Sequence, residues 1–123
     1  MEETLILSTL PKTWILDLDG TLLKHNGYKI DGYDTVLDRV AAYLKEIPKE
    51  DKIILLTSRK EECRQMTTDF LETVGIRYDV ILFEMPMGER IIVNDRKPSG
   101  LDMAVALNVD RDQFILPKII RER

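Results

Sequence analysis

Asp17 and Asp19 stand one residue apart at the end of the apolar run Trp14-Ile15-Leu16, and Gly20-Thr21 follows them. In an extended strand alternate side chains share a face. Both carboxylates are therefore presented together where the strand runs out, and Asp19-Gly20 lets the backbone bend sharply there. Two such carboxylates repel each other unless a cation or a shared proton relieves them. That calls for a hard divalent ion such as magnesium, which takes oxygen ligands. The plainer alternative is a solvated strand-to-turn junction, where Asp and Gly are common.

These side chains need strands to carry them. Residues 12–18 read as a buried strand. Residues 20–32, with Gly20, Asn26, Gly27 and Gly32 amid Leu and Tyr, predict turns and a small hairpin. Asp34 suits a helix cap, and Val36, Leu37, Val40, Tyr43 and Leu44 recur at helical spacing. Residues 52–57 read as a second buried strand. Ser58 suits the cap of a helix whose face carries Cys63, Met66, Phe70, Leu71 and Val74, with Gly75 as its stop. Residues 78–83 and 90–94 read as a third and a fourth strand, 99–107 as a short helix and 113–116 as a fifth strand.

Alternation of apolar strands with helices implies a mainly parallel sheet covered on both faces. The expected fold class is therefore α/β: a three-layer, Rossmann-like sheet of about five strands with helices on both faces, residues 1–123 forming one domain. Ligands of such sheets bind beyond the carboxyl ends of the strands. Asp17 and Asp19, Thr57 and Ser58, and Asn94 and Asp95 all fall at those ends.

Composition narrows the classes. The net charge of −4 argues against a nucleic-acid surface, which normally shows a basic patch. A single cysteine, Cys63, excludes an internal disulfide and a multi-cysteine zinc site, and the single His25 leaves little else for zinc. No apolar run approaches the roughly 18 residues of a membrane span. The opening Met1-Glu2-Glu3-Thr4 lacks the positive start of a signal peptide, so a cytoplasmic protein is expected.

The run from Trp14 to Thr21 resembles the first motif of the haloacid dehalogenase superfamily of phosphatases and phosphotransferases. The resemblance implies that Asp17 is a nucleophile forming an aspartyl-phosphate and that Asp19 is the general acid and base. Thr21 would help orient Asp19. Leu55-Leu56-Thr57-Ser58-Arg59 resembles the second motif, in which the hydroxyl of Thr57 and N–H groups of the next helix, from Ser58 on, bind phosphate. A plain helix cap is the alternative. Arg59 would either reach the substrate or lie solvated. Ile91 to Asp95 resembles the fourth motif, whose acid, Asp95, completes the magnesium site with the Asp17 carboxylate and the Asp19 carbonyl. An ordinary Asn-Asp turn is the alternative there.

The third motif departs from the pattern. The stretch comparable to its Gly-Lys-Pro reads Glu84-Met85-Pro86, so the lysine is missing. Arg90 would begin the fourth strand and, at roughly 3.3 Å per residue, lie over 10 Å from the metal end. Lys97 follows Asp95 at the correct end and is the expected replacement, with a solvated Lys97 as the alternative. The spacing leaves no room for a cap domain. His25 and Tyr28 lie in the loop beside the site, packing there or touching substrate. The resemblance thus implies a minimal, capless, magnesium-dependent phosphomonoester hydrolase acting on a small sugar phosphate. A phosphate-binding module with weak turnover, or a phosphotransferase or phosphomutase, are the alternatives. The expected partner is a small phosphorylated metabolite, with no nucleic acid and no membrane, and an open site predicts either a large substrate or closure by a neighbouring subunit in a homo-oligomer.

Overall fold

Three parallel strands carry the candidate site. In the computed structural model, which describes residues 3–122, they are β2 (Thr13–Asp17), β3 (Lys52–Leu56) and β4 (Val80–Leu82), adjacent in that order. The register sets Asp17 beside Leu56, and Leu56 beside Leu82. Leu18 N–H then donates to the Leu56 carbonyl at 3.0 Å, and Thr57 N–H to that of Leu82 at 3.0 Å, so the ladder runs on to the polar residues. β-branched and aromatic residues such as Ile15, Ile53, Ile54 and Trp14 suit such strands.

Alternation decides what the sheet buries. Leu16, Ile53 and Leu55 point into a core completed by Leu18, Leu22 and Leu23 of the loop after β2. Val40 and Leu44 from α2 (Val40–Glu46) and Leu71 from α3 (Arg64–Thr73) close it. A single 3₁₀ turn, Glu61–Cys63, leads into α3, and Gly75, at φ +74°, turns the chain out of it. The other face of the sheet shows Ile15, Val80 and Leu82, each more than two-fifths exposed. A short helix α1 (Gly27–Ile30) lies in the loop after β2. Val36, expected in a helix, instead forms an isolated antiparallel bridge to Leu23.

The fold differs from the five-stranded, three-layer expectation. The described residues form two small parallel sheets, this one of three strands and a second of two. The second pairs β1 (Thr4–Leu7) with β5 (Lys118–Arg121). Strands were expected at 90–94 and 113–116 and a helix at 99–107, but these stretches are irregular. Ile91 and Val93 are 85% and 89% exposed, so the run has no neighbour to pair with or pack on. Apolar, β-branched composition supports a strand only where such a surface exists. Phe114 is buried without being in a strand, its ring edge-on to Tyr43 at 5.3 Å.

Candidate active site

Asp17 ends β2 with about a third of its side chain exposed. Its Oδ2 accepts the Thr21 hydroxyl at 3.1 Å, and its Oδ1 accepts Arg90 Nη1 at 3.0 Å. Thr21 thus orients Asp17, where Asp19 was expected. Asp19 lies deeper, with 18% of its side chain exposed. Its Oδ2 accepts the Thr57 hydroxyl at 3.0 Å. Arg59 grips it from the side, Nε reaching both oxygens at 3.2 Å and Nη2 reaching Oδ1 at 2.8 Å.

Arg59 is the anchor of this arrangement. Its Nη1 and Nη2 donate to the two oxygens of Asp34 at 3.0 and 2.7 Å, and Nη1 also to the Thr67 hydroxyl at 2.9 Å. The Tyr28 ring covers the guanidinium at 4.1 Å. Asp34 is therefore an ion-pair partner, not a helix cap; α2 begins only at Val40. Burial alone disfavours the charged guanidinium, but hydrogen bonds to Asp34 and Asp19 and their charges outweigh it and raise the Arg59 pKa above its ordinary value. Neither carboxylate of the Asp17–Asp19 pair stands alone: each is matched by an arginine, which relieves their mutual repulsion.

Backbone geometry explains the split after β3. Thr57 and Arg59 are buried while Ser58 and Lys60 are exposed, the alternation of an extended chain. Ser58 therefore points away from Thr57 and Arg59, and α3 starts six residues later, at Arg64. The Thr57 hydroxyl accepts the Arg59 N–H at 3.1 Å, so it is already oriented when it donates to Asp19.

Asp95 and Lys97 are not drawn into this cluster. Both lie exposed in the irregular stretch after β4. Asp95 accepts the amide of Asn94 at 3.3 Å, and the Lys97 N–H donates to the Leu101 carbonyl at 2.9 Å. The cation that reaches Asp17 is Arg90. The argument for Lys97 assumed a strand over 90–94, and without that strand nothing holds Arg90 at the far end of a sheet. His25 packs beside Gly20, and its N–H donates to Asp112 Oδ1 at 2.7 Å.

Among the described residues no third acid joins Asp17 and Asp19. The donor set still suits magnesium, which keeps several waters and commonly binds one or two carboxylates plus substrate phosphate. Asp17 and Asp19 are the residues that would hold it.

Asp34 and Thr67 were not read from the sequence as site residues, and Arg90 was weighed as the replacement cation but set aside for Lys97. The Thr57-Ser58-Arg59 spacing is the sequence signal that could have placed Arg59 with Thr57, since alternate residues of an extended chain share a face. Asp34 and Thr67 meet Arg59 through tertiary packing alone.

No protein-family model matches the chain, and no curated protein does. A chain from the solved structure of the Pnkp1/Rnl/Hen1 complex is similar to it, at 35% identity with a TM-score of 0.52. The match covers 68% of this chain and 31% of that one, so the present chain spans under a third of that relative. This corrects two expectations. The comparisons do not return the haloacid dehalogenase superfamily; that resemblance rested on short motifs, and the segment carrying Asp95 and Lys97 does not assemble with the rest. The expected partners, a small phosphorylated metabolite and no nucleic acid, are the second correction, since the similar chain comes from a multi-protein assembly, the Pnkp1/Rnl/Hen1 complex. Among the described residues no helix is long and apolar enough to cross a membrane.

Proposed function

We propose that this chain is a phosphomonoesterase serving RNA repair, with Asp17 as nucleophile and magnesium as cofactor. One observation carries the reading: two carboxylates and a threonine hydroxyl converge at the carboxyl ends of β2 and β3, each already oriented by a neighbour. The likeness to a chain of the Pnkp1/Rnl/Hen1 complex supports a phosphorylated RNA end as substrate in place of a small sugar phosphate.

The chemistry follows from the residues. Asp17 Oδ1 attacks phosphorus, the P–O ester bond breaks, and an aspartyl-phosphate forms. The leaving oxygen takes a proton from Asp19. Asp19 then accepts a proton from the water that attacks the aspartyl-phosphate, which releases phosphate and restores Asp17. Thr57 gives up Asp19 and turns its hydroxyl to a phosphoryl oxygen. Arg90, half-exposed at Asp17, supplies positive charge to the equatorial oxygens. Bound magnesium would supply further charge neutralisation there.

The test is phosphate release from oligoribonucleotides carrying a 5′- or a 3′-phosphate, and from glucose 6-phosphate, each with magnesium and with a chelator. The expected result is magnesium-dependent release from an RNA end, lost by orders of magnitude in Asp17→Asn with the fold retained. Release from the sugar phosphate alone would return the reading to a metabolic phosphatase. No release from any substrate, or undiminished activity in Asp17→Asn, would end it.

A further inference from the structure

We propose that Asp112 is a positioning residue for the loop that carries the two acids; the proposal rests on the phosphomonoesterase reading. The loop after β2 folds tightly on its inner side. The N–H groups of Leu22 and Leu23 donate to the Leu18 carbonyl at 3.0 Å, and Gly20 N–H donates to the Leu23 carbonyl at 2.7 Å. Its outer side is held by a turn from far along the chain. Asp112 N–H donates to the Gly20 carbonyl at 2.8 Å, and Asp112 Oδ1 accepts the His25 N–H at 2.7 Å. The Arg111 side chain lies over Gly20, its Cγ 3.4 Å from where a Cβ would stand.

Both ends of this clasp sit in unusual backbone conformations. Gly20 has φ +86° and Asp112 has φ +63°. A non-glycine residue with positive φ is uncommon, and such strain persists where the surroundings over-determine it and clusters at functional sites. Asp and Asn tolerate it best. Gly20 lies between Asp19 and Thr21, the residue that orients Asp17. A shift of the Gly20 carbonyl therefore moves both acids of the reaction. Asp112 touches neither acid; it works by fixing the Gly20 peptide, which joins Asp19 to Thr21.

Two variants of the full chain separate the carboxylate from the backbone. Asp112→Gly accepts the positive φ but removes the acceptor for His25 N–H. Asp112→Asn keeps both the conformation and an oxygen acceptor. Hydrogen exchange at the His25 amide reads the clasp directly, and kcat and KM on p-nitrophenyl phosphate read its effect on the acids. Asp112→Gly should raise His25 exchange by about tenfold or more. It should lower kcat by roughly tenfold to a hundredfold with KM within about twofold, as expected for misplaced reacting groups. Asp112→Asn should behave as wild type in both. Equal His25 exchange in all three proteins overturns the clasp, as does a wild-type kcat in Asp112→Gly. An Asp112→Asn as impaired as Asp112→Gly overturns it too, because the acceptor would not be what matters. If wild type itself releases no phosphate, the phosphomonoesterase reading fails, and His25 exchange still decides the clasp.

Discussion

Arg59 joins three polar side chains that the sequence scatters over 48 positions, Asp19, Asp34 and Thr67. The Arg59–Asp34 pair is almost wholly buried, with 1% and 2% of the side chains exposed. Removing one partner of such a pair strands a charge in the interior, at a cost of about 3–5 kcal/mol. Arg59→Ala should therefore lower stability in denaturant titration by that order, and Arg59→Ala/Asp34→Ala should cost less than the two single changes added together. Arg59→Lys should not rescue it, since an ammonium cannot bridge Asp34 with two parallel bonds while gripping Asp19. Additive losses in the double variant would mean that the pair is not the unit described. Arg90 is the contrast. Its pair with Asp17 is more than a third exposed on each side, so Arg90→Ala should change stability by less than about 1 kcal/mol. Turnover should nevertheless fall by about a hundredfold, the loss of one charge-stabilising donor. A variant with intact turnover would place the cation for the phosphoryl group elsewhere.

At the scale of elements, the bend after β2 is where local conformation and chemistry meet. Gly20 combines φ +86° with the close approach of Arg111 and His25. Gly20→Ala should cost about 1–2 kcal/mol from the left-handed backbone alone. It should also lower kcat more than it raises KM, because the peptide that joins Asp19 to Thr21 must move. Unchanged kinetics in a destabilised Gly20→Ala would separate the bend from the site. That bend was legible in the sequence, as were β2, β3 and α3, because their apolar runs bury against one another and end in turn residues. The run Ile91-Ile92-Val93 reads the same way and yet forms no strand. Its apolarity is as strong as that of Ile53-Ile54-Leu55; what differs is a neighbour to pair with, which a single segment does not encode. Asp34 misled in a related manner. As a helix cap it needed only local sequence, whereas its actual partner Arg59 lies 25 residues away. β1 and β5 were missed for the same reason, since each is four residues long and is a strand only by virtue of the other.

Across the whole molecule, the end of the sheet opposite the site ties the chain's two sheets together. Asp51 is buried just before β3 and accepts the Lys12 N–H at 3.0 Å and the Trp14 indole N–H at 2.9 Å. Arg121 of β5 reaches it at 3.5 Å, so one carboxylate links the two-stranded sheet to the three-stranded one. Burial pushes the Asp51 pKa up, but the two hydrogen bonds and the charge of Arg121 outweigh it and leave the pKa below the ordinary value of 3.8. The unfolded chain then takes up this proton at a higher pH than the folded one. The stabilisation is complete above the ordinary carboxylate range and is lost as pH falls through the lowered folded pKa. Urea midpoints measured from about pH 6 down to about pH 3 should fall steeply at the acid end for the wild type. Asp51→Asn should start lower, because the amide keeps an acceptor but surrenders the charge opposite Arg121, and the gap should close as the wild-type carboxylate is protonated. A gap that stays constant across the acid limb would mean that Asp51 contributes through shape and hydrogen bonding alone, and that the two sheets are held together by something other than its charge.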